Sequence, residues 1–238
     1  MAQGTVLEGE VAKFDALASE WWNPRGPMAP LHAMNPLRIS WIAERIASAT
    51  GRDPVALAGL TLLDVGCGAG LASEALARRG ARVTGLDMAP EALAAARAHA
   101  SQAGLSIDYR QGRPEDLSGQ FDAVTALEVI EHVADRDAFL ASLARSVRPG
   151  GMVFLSTLNR TARSFLFAKL GAEYLLRLLP RGTHDWKMFV TPAELGAGLR
   201  RAGLRVTDVA GMVPEPLTRN WRESRDTAVN YIMAARKD

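Results

Sequence analysis

At 238 residues, 48% hydrophobic and 23% charged, the chain is long enough for one α/β domain with additions and has the balance of a globular protein. A formal net charge of +2 makes no electrostatic case for nucleic acid, and a single cysteine, Cys67, excludes an internal disulfide and fits a reducing compartment. Residues 1–10 lack the basic start and apolar run of a secretory signal, and no uninterrupted apolar run reaches membrane-spanning length.

In chain order, residues 1–59 form a helical cap, with helices expected at 8–22 and 36–50. A cofactor-binding core over 60–157 alternates strand and helix: strand 60–66, helix 70–79, strand 82–87, helix 90–103, strands 105–110 and 121–127, helix 135–147 and strand 152–157. Pro90 and Glu91 suit a first helical turn, and Arg148-Pro149-Gly150-Gly151 ends the helix at 135–147. Residues 158–190 are an insertion, longer than the loop a minimal fold needs there. In 191–238, a helix at 192–202 starts behind Thr191, with Glu194 placed to complete a capping box, and strands follow at 204–212 and 228–235. This alternation predicts one α/β domain around a doubly wound, mostly parallel sheet, with the last two strands as an antiparallel edge hairpin.

The most informative stretch is Leu62-Leu63-Asp64-Val65-Gly66-Cys67-Gly68-Ala69-Gly70, an apolar strand that runs into three alternating glycines and then a helix former. Such glycines let a backbone approach a ligand closely. Asp87 ends the next strand, where an acid meets ribose hydroxyls, so the ligand is expected to carry a nucleoside. A dinucleotide site calls for G-x-G-x-x-G, but Leu71 stands at the third glycine's place. Asp64 would also oppose a pyrophosphate. The methionyl ammonium and sulfonium of S-adenosylmethionine are cationic and suit it better, which assigns Asp64, Gly66, Gly68 and Asp87 to that cofactor. Cys67 reads as a small buried side chain of the loop.

The loop at 64–70, Asp87, Glu115-Asp116 and Arg148-Pro149-Gly150-Gly151 together resemble class I S-adenosylmethionine-dependent methyltransferases, which implies their Rossmann-like, seven-stranded sheet. The flanks are similar to one family within that superfamily. Phe14-Asp15-Ala16-Leu17-Ala18 with Trp21-Trp22, the run from Pro30 to Arg38, Ser156-Thr157-Leu158-Asn159-Arg160, Gly171-Ala172-Glu173-Tyr174, Gly182-Thr183-His184-Asp185-Trp186 and Val229-Asn230-Tyr231 resemble the ubiquinone biosynthesis O-methyltransferases. The resemblance spans nearly the whole chain. It implies methyl transfer to polyprenyl hydroxyphenol or catechol precursors and to demethylubiquinol, the two O-methylation steps of that pathway, with other enzymes of the pathway as partners. Two other readings stay open at this point: a class I methyltransferase of another small molecule, and a non-catalytic quinone-binding subunit.

The resemblance also implies that Arg38, Gly66, Asp87 and Leu127 contact S-adenosylmethionine, with Arg38 meeting its carboxylate. Glu115 or Asp116 is a candidate for the adenine amino group. Methyl transfer needs an aligned, deprotonated acceptor oxygen. Glu128-Val129-Ile130-Glu131-His132, at the end of the fourth strand, offers Glu128, Glu131 and His132 as catalytic groups. The same three residues are candidate ligands for a divalent metal, magnesium by their carboxylates or zinc or manganese by the imidazole. Eukaryotic relatives are regarded as metal-dependent at this motif, while an E-H-V segment also occurs in metal-free class I enzymes. His184 and His32 are further candidate bases, and His99 is expected on the surface of an Ala-rich helix.

Within the insertion, Lys169, Glu173 and Arg177 fall on one narrow polar stripe of a helix that is otherwise rich in Phe and Leu. A basic amphipathic segment of this kind can lie on an anionic membrane surface, or it can pack on its own domain as a lid. The expected location is cytoplasmic, with peripheral contact at the inner face of the membrane through 158–190.

Overall fold

The computed structural model describes residues 15, 17–51, 53, 56–166, 186–215 and 220–238. Its alternating units are β1 (Thr61–Val65), α2 (Leu71–Ala77), β2 (Arg82–Asp87), α3 (Pro90–Gln102), β3 (Asp108–Gln111), β4 (Phe121–Leu127), α4 (Arg136–Ser146) and β5 (Val147–Leu158). The long helix α1 (Ala29–Thr50) precedes them, and α5 (Pro192–Arg201), β6 (Leu204–Pro214), β7 (Trp221–Ser224) and β8 (Asn230–Lys237) follow.

The eight strands form one sheet in the order β3-β2-β1-β4-β5-β8-β6-β7. β1 to β5 run parallel, whereas β8 inserts antiparallel between β5 and β6, and β7 pairs antiparallel with β6. The expected α/β class therefore holds, with one strand more than expected. β7 is four residues with only two partly buried positions, too short and too polar to register as a strand from sequence.

Alternation along the strands feeds two cores. Leu63, Val124, Val153 and Leu155 face α4 and α5, where Phe139, Leu143, Leu195 and Leu199 cover them. Leu62, Ala123, Met152 and Phe154 face α1 and α2, under Ile39, Trp41, Ile42 and Leu76. Trp41 and Phe154 meet edge to face at 6.2 Å. Burying each of these side chains contributes about 2–3 kcal/mol.

The N-terminal expectations shift. α1 begins seven residues ahead of the expected start and carries Pro36 in its interior. The turn before Pro36 is held because Met34 and Asn35 are buried and Asn35 Nδ2 donates to Leu71 O at 3.0 Å. Much of the helix expected at 8–22 lies outside the described residues; of the described part, Asp15 is helical, and a tight turn at Ala18–Glu20 is followed by further turns. Pro24, Gly26 and Pro27 prevent helical propagation there. β5 starts before the expected 152, with an irregularity against β4 between Phe121 and Ala123 that absorbs Pro149. The capping box at α5 is formed: Thr191 Oγ1 accepts from Glu194 N at 3.2 Å, and Thr191 N donates to Glu194 Oε2 at 2.9 Å.

Strand order reverses between β1 and β4, so a crevice opens beyond the carboxyl ends of those strands. The glycine loop, Asp87 and the Glu128–His132 segment all lie at that edge.

Candidate active site

β1 delivers Asp64 into the interior just before the chain turns. Its carboxyl is buried and accepts from Ser73 Oγ at 2.6 Å and Thr125 Oγ1 at 2.7 Å. Burial pushes it above the usual carboxylate range, against the two hydroxyls and the nearby Arg38 guanidinium, which pull it down. Gly66 and Gly68 then adopt φ of +68° and +52°. A Cβ on Gly66 would collide with Val129, and one on Gly68 with the ring of Trp21, so both glycines are required by backbone sign and by space.

Asp87, at the tip of β2, ties the loop to α3. Its Oδ2 accepts Gly68 N at 2.7 Å and its Oδ1 accepts Ala89 N at 2.9 Å. Burial raises this carboxyl above its ordinary range, with the backbone N–H groups of Ala89, Gly68 and Met88 opposing. Cys67 is buried, and burial followed by the Asp87 and Asp64 charges holds its thiol well above the usual range, so it is inert as a nucleophile.

Arg38 enters this crevice from α1. It is 3% exposed, yet its guanidinium is thinly satisfied: Nη1 lies 3.6 Å from Glu128 Oε1, Nη2 lies 3.5 Å from Asn35 Oδ1, and Nε has no protein partner. Burial lowers its affinity for the proton, while Glu128 and Asp64 act the other way. A buried fork with donors to spare is a ready site for a ligand carboxylate.

Leu127 ends β4 half-buried, and Glu128 follows at φ +57°, the one described non-glycine residue with positive φ. Such a conformation costs of order 1–3 kcal/mol and persists where the surroundings enforce it. Here Glu128 N donates to Ser156 O and Ser156 Oγ donates to Glu128 Oε1 at 2.7 Å. Glu131 and His132 sit in the tight turn Ile130–His132. Glu131 is buried, accepts from Thr157 Oγ1 at 2.9 Å, and is pushed well above the usual carboxylate range by burial first and the Glu128 charge second. Ser156 and Thr157 are consecutive on β5 and so point to opposite faces, one to each carboxylate.

The fit to S-adenosylmethionine is good on its donor set: a buried guanidinium whose Nε has no protein partner, a buried carboxyl, an acid at the β2 tip and a loop open to backbone approach. The fit to a metal is not. Glu128 is engaged with Ser156 and Arg38, and Glu131 is turned inward to Thr157. Among the described residues no three His, Cys, Asp or Glu side chains are grouped to hold an ion, so the expected set of Glu128, Glu131 and His132 does not converge.

Glu115 and Asp116 lie in the turn Pro114–Asp116 after β3. His32, in the first turn of α1, has its Nε2 2.8 Å from Trp21 O. His99 is not a free surface residue: it stacks on Trp22 and its Nδ1 meets Glu74. His184 and the amphipathic stripe of Lys169, Glu173 and Arg177 lie outside the described residues. Sequence reasoning missed Ser73, Thr125, Ser156 and Thr157, the hydroxyls that hold the three carboxylates. Only Ser156-Thr157 left a trace, as part of the family-like run to Arg160, with no role assigned to either hydroxyl.

Residues 63–155 match a family profile described as a methyltransferase domain. A ubiquinone biosynthesis O-methyltransferase of a Methylobacterium species is 50% identical over 96% of this chain and 94% of its own. One from Pseudomonas paraeruginosa is 49% identical over 98% of each chain, and one from Cereibacter sphaeroides is 50% identical over 98% of each. Among solved structures, the magnesium protoporphyrin IX methyltransferase of Synechocystis, with bound S-adenosylmethionine, matches with a TM-score of 0.67 at 17% identity over 99% of this chain and 100% of that one. A methyltransferase of Thermotoga maritima matches with a TM-score of 0.65, also at 17% identity, over 96% of this chain and 100% of that one. These two structural likenesses bear on the fold.

Proposed function

Since this chain belongs to the ubiquinone biosynthesis O-methyltransferase family and is an S-adenosylmethionine-dependent O-methyltransferase, we propose that it methylates catechol-type hydroxyls of polyprenyl ubiquinone precursors, at both O-methylation steps. The observation that carries this reading is the likeness at about half identity over nearly the whole chain, flanks as well as cofactor core. We read residues 1–238 as one methyltransferase domain with a helical cap and an insertion.

The bound cofactor supplies an electrophilic sulfonium methyl for in-line displacement by the acceptor oxygen. The protein binds and orients. Arg38 takes the cofactor carboxylate on its under-used fork, and Asp64 draws the cationic methionyl end. Gly66 and Gly68 allow close backbone approach, Asp87 accepts the ribose hydroxyls, and Leu127 forms an apolar wall beside the methionyl end. His132, at the rim, takes the acceptor proton as general base. Glu128 keeps Arg38 in place, and Glu131, whose carboxyl burial pushes well above the usual range, supports Glu128 from behind. A divalent ion at Glu128, Glu131 and His132 would require Glu131 to leave Thr157 and turn outward. Activity abolished by a chelator and restored by magnesium or zinc would establish that arrangement, and full activity in excess chelator would remove it.

We also propose peripheral contact with an anionic membrane through 158–190, where the polyprenyl tail resides. Its support is the exposed apolar pair Phe165 and Leu166 with Trp186, which flank the part of the insertion outside the described residues. No described helix is long and apolar enough to cross a membrane. Phe165→Glu with Leu166→Glu should abolish co-sedimentation with anionic liposomes, and a folded variant that still sediments refutes the contact.

The deciding experiment is calorimetric binding of S-adenosylhomocysteine, followed by methyl transfer to short-chain catechol and demethylubiquinol analogues. Binding without a methoxy product from either acceptor would redirect the assignment to another small molecule. No binding would revive the quinone-binding subunit.

A further inference from the structure

We propose that Trp21, Trp22 and His99 are positioning residues for the cofactor loop, acting as a clamp that fixes its backbone from outside. The clamp builds on the cofactor site described above and adds to it a set of residues that touch none of the groups assigned to the cofactor's charges.

The loop from Gly66 to Gly70 has three glycines at positive φ, and its inner side is tied to β2, where Gly66 N and Cys67 N donate to Leu86 O and Gly68 N donates to Asp87; its outer side needs a separate support. The strap ahead of α1 supplies it. Trp21 is buried against Met28 and Ala69, with its ring over Gly68, where a side chain would collide with it. Trp22 Nε1 donates to Ala69 O at 3.0 Å. On its other side the Trp22 indole lies flat on the His99 imidazole, with ring centroids 3.4 Å apart and planes within 5°. His99 Nδ1 is 2.7 Å from Oε1 of Glu74, which is 2% exposed and also pairs with Arg78 at 3.1 Å. His32, in the first turn of α1, ties the strap to that helix, reaching Trp21 O at 2.8 Å and meeting Trp22 edge-on at 5.9 Å.

A second tie fixes the strap at the far side of Asp87. α3 begins behind Ala89, whose side chain cannot cap a helix. Asp15 does so from the strap, its Oδ1 accepting Glu91 N at 3.0 Å and Ala92 N at 3.4 Å. Strap, loop, α2 and α3 are thereby joined around the crevice. A loop ordered in advance loses less conformational freedom when ligand binds, so the clamp raises cofactor affinity without touching the reacting atoms.

The test is S-adenosylhomocysteine affinity together with KM for S-adenosylmethionine and kcat, measured on the full chain. Trp22→Ala should raise the Kd about tenfold or more, with the loss falling on KM rather than kcat. Trp22→Phe, which keeps the stack and loses the Nε1 donor, should recover part of it. His99→Ala and Asp15→Ala should each raise the Kd severalfold, and His99→Phe, which keeps the stack, should recover part of the His99→Ala loss. If Trp22→Ala fails to fold, Trp22→Phe, His99→Gln and Asp15→Asn carry the test. Folded variants with lowered melting temperature but with Kd and KM within twofold of wild type would overturn the proposal, because a merely structural strap predicts that pattern. Failure of the wild type itself to bind S-adenosylhomocysteine would instead refute the cofactor reading.

Discussion

Asp87→Ala separates the role of this carboxylate in the apo fold from its role toward the cofactor. In the apo protein it accepts two backbone N–H groups, from Gly68 at 2.7 Å and Ala89 at 2.9 Å. Each hydrogen bond to a charged group is worth about 1.5–3 kcal/mol. Against this stands the cost of burying the charge, the largest influence on its proton affinity. Loss and relief offset, so the folded state should weaken by only about 1–2 kcal/mol. Binding should suffer more. Two ribose hydroxyls donating to the carboxylate would lose about 3 kcal/mol, which is roughly a 150-fold rise in Kd for S-adenosylhomocysteine. Asp87→Asn keeps one acceptor oxygen and should fall between. Isothermal calorimetry with a parallel urea titration reads both quantities. A folded Asp87→Ala protein that binds S-adenosylhomocysteine within threefold of wild type would refute the ribose assignment.

Gly66→Ala places a methyl against Val129 on a backbone at φ +68°, so it should cost about 1–3 kcal/mol of stability and weaken cofactor binding, read by thermal denaturation and calorimetry. Arg38→Lys keeps a buried cation near Glu128 and Asp64 but removes the planar fork; the melting temperature should move little while KM for S-adenosylmethionine rises about tenfold. Asp64→Asn tests linkage. Burial raises the folded carboxyl, so the folded state holds the proton more tightly than the unfolded chain. This contribution is full below the unfolded value of about 3.9 and is lost as pH rises through the folded one. Relative to Asp64→Asn, the wild type should therefore lose stability as pH climbs from 4 towards neutrality; urea midpoints across that range check it, and a pH-independent difference contradicts it.

The parallel core was legible because hydrophobic alternation, glycine placement and caps agree locally. β2 and β4 coincide with their expected limits, and the Thr191–Glu194 box forms as its spacing predicts. That Asp64, Gly66, Gly68 and Asp87 would meet at one edge of the sheet was legible because all four lie within one β-α-β unit. Relations between distant segments were not. Nothing in an Ala-rich helix signals that His99 lies under Trp22, and nothing in Ala89 signals that Asp15 caps its helix from 76 residues before Glu91. The two glutamates of Glu128–His132 were expected side by side as ligands. They do stay close enough for the Glu128 carboxylate to act on Glu131, but each also takes its own hydroxyl from β5, a tertiary effect that motif spacing does not carry.

The insertion of β8 between β5 and β6 constrains the order in which the molecule is made. During synthesis β1 to β5 emerge first, but β5 keeps an unpaired edge until residues 230–237 leave the ribosome and dock against it. The cofactor-binding half is thus born with a sticky flank, which is covered only once residues 230–237 are out. Lys237 Nζ then fastens the seam, donating to Ala144 O at 2.6 Å and Val147 O at 2.9 Å. Premature termination even ten residues early would leave a nascent chain with an intact glycine loop, an open β-edge and a fate decided by chaperones rather than by its cofactor.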